Sequence, residues 1–560
     1  MKGFIWFAAS AFALAATQSA AADMGVFNPA RFSEHVKTLG SDAYEGRGVN
    51  TPAEQKTIDY IVGQFKAAGL QPGGDLVDGK RKWTQDVPLL QSDHASTPKL
   101  TLNLGNGQTL NLTQGEEIAV RAPTNGQTTV NLASVPLLFV GYGVNAPERN
   151  WDDFKGQDVK GKLLVVLVND PDFEGGEGDF GGKAMTYYGR WTYKYEEAAR
   201  RGAAGVLVVH ETKPASYGWN TVKNSNTNTM FDIVRDNAAA EHTAFESWIQ
   251  RPLAEQIFAA SGLNFDQAKA QARTRAFQPI PLKATLNASI QANSRTITSR
   301  NVAGLLPGKT HPDETLIYTA HWDHLGIGKP DANGDNIYNG ALDNATGIAQ
   351  LIEQARAFAK GPRPDRSVLF LAVTAEEKGL LGSEYYATHP LYPVGKTVGV
   401  LNTDGGSIYG PSKNFTISGT AKLGLLDMLI AEGKKQGRYY SPDPHPEYGS
   451  FYRSDHFSFA KVGVPAISYN DGNDMVDGGV ARGEALQAAY NEKQYHQPDD
   501  EWSPTWNFTG MAEDTNLLHK LGERLANSRE WPNWSQDSEF RATRDQTASE
   551  RPAGSDGERG

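Results

Sequence analysis

Three apolar runs in the second half of this chain each stop just short of side chains able to hold a metal ion. Thr315 to Thr319 leads to His321 and Asp323, Ser367 to Val373 to Glu376 and Glu377, and Val398 to Asn402 to Asp404. A fourth run, Pro465 to Tyr469, comes later. Between the first two, Ile348, Leu351, Ile352, Ala355 and Phe358 recur on one helical face, and Pro362 and Pro364 close that helix. Strands alternating with helices build a mostly parallel sheet that binds ligands beyond the carboxyl ends of its strands. The expected fold class is therefore α/β, a mostly parallel mixed sheet flanked by helices, with polar residues collected at one sheet edge.

The rest of the chain sets the domain plan. Thr51 and Glu54 form a capping-box pattern with Pro52 at the first helical position, Ile58, Ile61, Val62 and Phe65 repeat at helical spacing, and Gly69 ends the helix. From Leu100 to Val120 the apolar positions are sparse and alternating, which reads as exposed strands. Val135 to Val140, Leu163 to Val168 and Gly205 to Val209 read as buried strands around a helix at Tyr195 to Arg201. We therefore expect a β-rich module at 131–275 inserted into a larger domain made of 23–130 and 276–535. The segment 536–560 is polar, charged and poor in large apolar residues, and reads as a disordered tail.

Composition narrows the classes. No cysteine is present, which excludes disulfides and thiolate metal sites. Lys2, the apolar stretch Phe4 to Ala16 and the small residues Ala20 to Ala22 form a signal peptide over 1–22, so the mature protein is expected to be exported, periplasmic or extracellular. The net charge is −11, or −12 once Lys2 is removed, which argues against nucleic acid and against an anionic membrane as partners.

Five candidate ligands stand in order: His321, Asp343, Glu377, Asp404 and His496. Each has an ordinary reading alone: Asp343 as a helix cap, Asp404 before two glycines as a turn residue, the Glu376–Glu377 pair as a solvated turn. Two imidazoles and three carboxylates together suit a pair of zinc ions sharing one carboxylate, and Glu376 is a spare carboxylate beside them. His321 and Asp323 fall on one side of an extended chain, so Asp323 is placed to accept from the unused ring nitrogen of His321. By the same alternation His324 points away and is structural.

At these residues the chain resembles the co-catalytic di-zinc exopeptidases of metallopeptidase family twenty-eight, typified by secreted bacterial leucyl aminopeptidases. The resemblance rests on His321-Trp-Asp323-His-Leu-Gly, Gly340-Ala-Leu-Asp343-Asn-Ala-Thr-Gly347, Ala375-Glu376-Glu377-Lys-Gly-Leu-Leu-Gly-Ser-Glu384, Asn402-Thr-Asp404 and Tyr495-His496-Gln-Pro, with Ser41 to Arg47 as the opening segment. It implies a zinc exopeptidase fold and two zinc ions per chain. Asp343 would bridge them, His321 and Asp404 would complete one site, and Glu377 and His496 the other. Glu376 would be the general base toward a metal-bridged hydroxide and Asp323 would orient His321, both counted as catalytic. Asn402-Thr-Asp404-Gly-Gly departs from relatives with a bulky apolar residue beside the aspartate, which leaves the pocket shape open. The inserted module resembles a protease-associated domain through Tyr188 to Lys194 and Ala203 to Val208. The function implied is a secreted aminopeptidase acting on peptides with a free N-terminus, with no membrane partner after signal removal. A glutamate-carboxypeptidase-like carboxypeptidase, a one-zinc glutaminyl cyclase and a non-catalytic receptor-like homologue remain alternatives. Only 64 residues follow His496, too few for the long helical dimerisation domain of the carboxypeptidases.

Other signals fall away. Gly176-Glu-Gly178-Asp-Phe-Gly181 carries acids that would repel a pyrophosphate, Asp331 to Asp335 lacks the glycine and closing glutamate of a calcium loop, and neither GxSxG nor HExxH occurs. Arg453 is placed either to clamp a substrate carboxylate or to pair with an acidic neighbour.

Overall fold

The computed structural model describes residues 25–552, so the signal peptide expected at 1–22 lies outside the described residues. Helix α1 (Pro29–Leu39) and helix α2 (Pro52–Ala68) open the chain. Glu54 does reach back, but one residue further than a capping box: its carboxylate accepts from the Asn50 amide at 2.7 Å. Gly69, at φ 90°, supplies the left-handed residue that stops α2.

The central sheet runs through β1 (Thr84–His94), β2 (Ile280–Leu306), β3 (His311–His321), β4 (Arg366–Val373), β5 (Thr397–Thr403), β6 (Asn414–Ile417) and β7 (Ala466–Asp471). Its spatial order is β1-β2-β4-β3-β5-β7-β6. The four strands β4, β3, β5 and β7 are parallel, and antiparallel neighbours flank them. Helix α3 (Thr346–Lys360) crosses from β3 to β4, and α4 (Leu381–Thr388) follows β4. Helix α5 (Gly479–Lys493) and helix α6 (Thr509–Asn527) complete the domain.

Alternation along β4 explains why helices cover both faces. Val368, Phe370 and Ala372 enter one core with residues of α1, α2, α3 and α6, while Leu369, Leu371 and Val373 enter another with Tyr386 of α4 and Phe459. The sheet is thus a middle layer, and its strand ends form the open edge.

A second sheet holds the β-rich unit. Its order is 109–112, 99–103, the first half of β2, 129–139, 163–167, 205–210, 245–250 and 118–120. Strand β2 is 27 residues long and belongs to both sheets. The unit is wider than 131–275, because the strands Lys99–Asn103, Thr109–Leu112 and Ile118–Val120 pair within it. Nor are those strands exposed: Leu100, Leu102, Ile118 and Val120 are buried in its core. Their alternation marks one face laid on a core.

The segment 536–552 is also ordered. Phe540 is buried, and Arg544 donates to the carbonyls of Val394 and Thr397 at the start of β5. Hydrophobic content alone therefore underestimated it, since the Phe540 ring and the buried guanidinium groups of Arg544 and Arg551 anchor the stretch.

Candidate metal centre

The open edge of the parallel strands delivers the site. His321 is the last residue of β3, Glu376 and Glu377 follow β4 by a short turn, and Asp404 follows β5. Asp343 sits in the turn Ala341–Ala345 just ahead of α3, and His496 follows α5 at φ 57°. All five expected ligands converge.

The distances sort them into two groups. His321 Nε2 lies 3.3 Å from Asp343 Oδ1 and 3.1 Å from Asp404 Oδ1. His496 Nε2 lies 3.2 Å from Asp343 Oδ2 and 3.2 Å from Glu377 Oε2. Ligand atoms about 2.0–2.1 Å from one tetrahedral divalent ion stand roughly 3.3 Å apart, so both groups have the spacing of a ligand set. Asp343 offers one oxygen to each, as a bridging carboxylate does. The donors, imidazole and carboxylate, are those of zinc and its neighbours among divalent ions.

The surroundings hold this geometry. His321 Nδ1 faces the Asp323 carbonyl at 3.1 Å, which places its proton there and leaves Nε2 as the ligand atom. That corrects one expectation: the Asp323 carboxylate is 3.9 Å from His321 and instead accepts the Glu376 amide at 3.1 Å. Asp323 thus orients His321 through its backbone and Glu376 through its side chain. Asn344 joins the Asp343 turn to the Asp404 turn by donating to Thr403 and accepting from Gly405. Asp500 accepts the amides of Leu342 and Asp343 at 2.9 and 3.1 Å, tying the stretch after His496 to the bridging aspartate.

His324 is the second correction. Its Nδ1 lies 2.7 Å from Glu377 Oε1, shorter than a ligand-to-ligand edge, and 4.0 Å from Asp343 Oδ2. It belongs to the centre, against the Glu377 oxygen that His496 does not meet. The alternation argument failed because the strand ends at His321, and the chain beyond it is no longer extended in register. Arg47 was missed as a site residue altogether. It is fully buried and donates to the carbonyls of Trp322, Leu39, Asn339 and Gly340 at 2.7–2.9 Å, beneath both ligand-bearing loops. Tyr495 stacks on His496 with ring centroids 4.0 Å apart. Asp455 is fully buried nearby, and burial, helped by Asp404 and Asp323 and opposed by His321, raises it to about 7.

Charge separates the two adjacent glutamates. Burial, then Asp404 and Glu377, push Glu376 well above the usual carboxylate range. Burial and Asp343 push Glu377 upward too, but His496 and His324 outweigh them and hold it below that range. The two adjacent carboxyls are thus shifted in opposite directions, Glu376 upward and Glu377 downward. Burial would lower His496, yet Glu377 and Asp343 raise it to about 11.

Residues 301–518, which contain every ligand, match the family model described as peptidase family M28. A probable zinc metalloprotease of Pyricularia oryzae is 36% identical over 104 residues, 19% of this chain and 20% of the relative. The aminopeptidase YwaD of Bacillus subtilis is 37% identical over 94 residues, 16% of this chain and 18% of the relative. The chain thus spans about a fifth of the length of the curated relatives it matches. Among solved structures, an aminopeptidase from Aneurinibacillus sp. strain AM-1 is 18% identical, covering 89% of this chain and 94% of its own, with a TM-score of 0.48. The likeness to peptidase family M28 is thus carried by residues 301–518, the stretch that holds all five expected ligands.

Proposed function

We propose that this chain is an exported, two-zinc aminopeptidase that removes the first residue from peptides with a free N-terminus. The observation that carries the reading is the division of Asp343, with one oxygen toward His321 and Asp404 and the other toward His496 and Glu377. When bound there, two zinc ions supply Lewis acidity at the scissile carbonyl and make a water acidic enough to attack. The chain's own work is proton transfer and placement. Glu376 stands beside Glu377 but outside both ligand groups, fixed through its amide by Asp323, and its raised affinity for a proton suits a base that later protonates the leaving amine. The names of the similar relatives, a zinc metalloprotease and an aminopeptidase, agree with this chemistry. The β-rich unit is read as a protease-associated module that limits access to the centre, and export follows from the leader composition.

The test joins the base to the bond. Glu376→Gln is expected to retain both metal ions by elemental analysis while kcat falls by about 10³-fold. The unmodified chain is expected to cleave Leu-Gly-Gly but not its N-acetylated form. Normal turnover by the variant removes Glu376 as base, and cleavage of the acetylated peptide removes the aminopeptidase assignment.

A further inference from the structure

His324 is the one imidazole of the centre to which the five-ligand set gives no task. It is fully buried, and among the described residues neither of its ring nitrogens completes a hydrogen bond. Glu377 Oε1 is buried and unsatisfied in the same way. His324 Nδ1 and Glu377 Oε1 nevertheless stand 2.7 Å apart, off the line of a ring N–H. A nitrogen lone pair and a carboxylate oxygen that close repel each other unless a positive centre faces both. A shared proton would lie near the line between them, so the direction fits a cation in front of the pair instead.

The spacing around that point is not tetrahedral. Donors about 2.0–2.1 Å from a four-coordinate ion share one edge of roughly 3.3 Å. About a five-coordinate ion, donors at right angles stand roughly 2.9 Å apart and opposite donors roughly 4.1 Å apart. In the group of His496, Asp343 and Glu377, His496 Nε2 is 3.2 Å from an oxygen of each acid. His324 Nδ1 adds the 2.7 Å contact to Glu377 and lies 4.0 Å from Asp343 Oδ2, the separation of opposite donors. The ligand atoms of His324, Asp343 and Glu377 all lie within 4.8 Å of one another. The group of His321, Asp343 and Asp404 shows only tetrahedral spacing, at 3.1 and 3.3 Å.

The backbone is shaped to admit the ring. Gly340, at φ 57°, leads into the Asp343 turn directly against the imidazole. A Cβ there would lie 2.5 Å from Cγ and 2.6 Å from Cδ2 of His324, so a side chain at 340 would displace the ring from Glu377.

We propose that His324 is a sixth protein ligand of the centre, binding through Nδ1 the ion held by His496, Asp343 and Glu377. The inference rests on the two-zinc reading of the centre, not on what the centre cleaves. It makes the two sites unequal. The site of His496 is closed by protein donors, while the site of His321 keeps three and one open position, the difference between a structural and a reactive zinc site.

The experiment is X-ray absorption at the zinc edge on the full-length chain loaded with zinc, which counts imidazoles without turnover. Three per pair of ions are expected in the unmodified chain and two in His324→Phe, which keeps a buried ring. Competition with a chromophoric zinc chelator reads affinity. His324→Phe is expected to weaken one ion by more than about 100-fold and the other far less, since a neighbour that merely oriented Glu377 would cost about 10–100-fold. Two imidazoles per pair in the unmodified chain, or a loss no larger than that of an orienting neighbour, overturns the ligand. If His324→Phe does not fold, the count in the unmodified chain decides alone. If the chain takes up a single ion, the two-zinc reading fails; the sixth ligand then stands if that ion carries two imidazoles and falls if it carries one.

Discussion

Arg47 shows how much of a metal centre is built from residues that never touch the metal. Its turn passes through left-handed backbone at Glu45, Gly46 and Arg47, with φ values of 47°, 65° and 50°, and this drives the side chain inward. There it meets five carbonyls, the longest contact being that of Asp343 at 3.5 Å, rather than a carboxylate, so its charge is spent on fixing backbone. Burial lowers it to about 10, while Asp500, Asp343, Asp323 and Glu377 oppose that shift as the acids it balances. Arg47→Met should destabilise the chain by about 3–5 kcal/mol, because five buried acceptors and an acidic cluster lose their partner together. Arg47→Lys should recover only part of this, having no fork to span the carbonyls. Denaturant unfolding of the metal-free forms checks it, and an unchanged midpoint for Arg47→Met would refute it. At this scale the ligands were legible, since acids and histidines just past apolar runs must sit at strand ends. The supporting residues were less so. His324 required knowing where β3 stops, and Arg47 required a turn whose backbone only coordinates reveal.

At the level of elements, charged contacts carry the β-rich unit onto the helix that follows the glutamate pair. Arg121 lies 3.3 Å from Glu246, and His242 bridges Glu246 at 3.0 Å and Asp232 at 3.1 Å. Arg235 then joins Asp232 to Glu384 of α4, each at 2.9 Å. Burial lowers His242, but Glu246 and Asp232 outweigh it and raise the imidazole from 6.5 to about 10. Burial raises Asp232, but His242 and Arg235 bring it down to about 2. The raised His242 contributes stability in full below pH 6.5 and loses it as pH climbs through about 10; the depressed Asp232 contributes above its ordinary 3.8 and loses it as pH falls through about 2. His242→Gln should therefore lower the thermal midpoint at pH 6 by an amount equivalent to about 2 kcal/mol, and the gap to the unmodified chain should shrink as pH approaches 10. A gap constant from pH 6 to 10 would show that His242 does not carry its charge into this contact. None of these pairings was legible beforehand, because the residues come from two strands, a helix and the loops beside them, whose order in space is far from their order in sequence. Strand existence was readable; which sheet each strand joined was not. Leu100 to Val120 shows why, since an alternating segment is half-buried by whatever layer happens to cover it.

For the molecule as a whole, the C-terminal stretch closes the domain rather than trailing from it. Phe540 packs against Trp534, Phe451 and Phe457 with ring centroids 5.0, 5.9 and 6.3 Å apart, and Glu539 accepts the Tyr452 hydroxyl at 3.0 Å. These contacts clamp the turn that presents Arg453 and buries Asp455. Further on, buried Arg544 donates to Val394 and Thr397 at the start of β5, whose far end carries Asp404. One short segment therefore braces two site-bearing elements from behind. Composition pointed to disorder because disorder is judged by average hydrophobicity, whereas anchoring needs only a few well-placed groups. Ending the chain after Ser535 removes a buried aromatic and several hydrogen bonds to backbone, so it should cost about 3–5 kcal/mol in unfolding free energy, and Phe540→Ala alone should account for most of that. Because the loss acts through the Arg453 turn and β5, catalytic efficiency should fall in the shortened chain even at temperatures where it remains folded. Circular dichroism melts and peptide hydrolysis measured on the same samples check both parts. A shortened chain with an unchanged midpoint and unchanged hydrolysis would mean that the packing of Phe540 and Arg544 braces neither element.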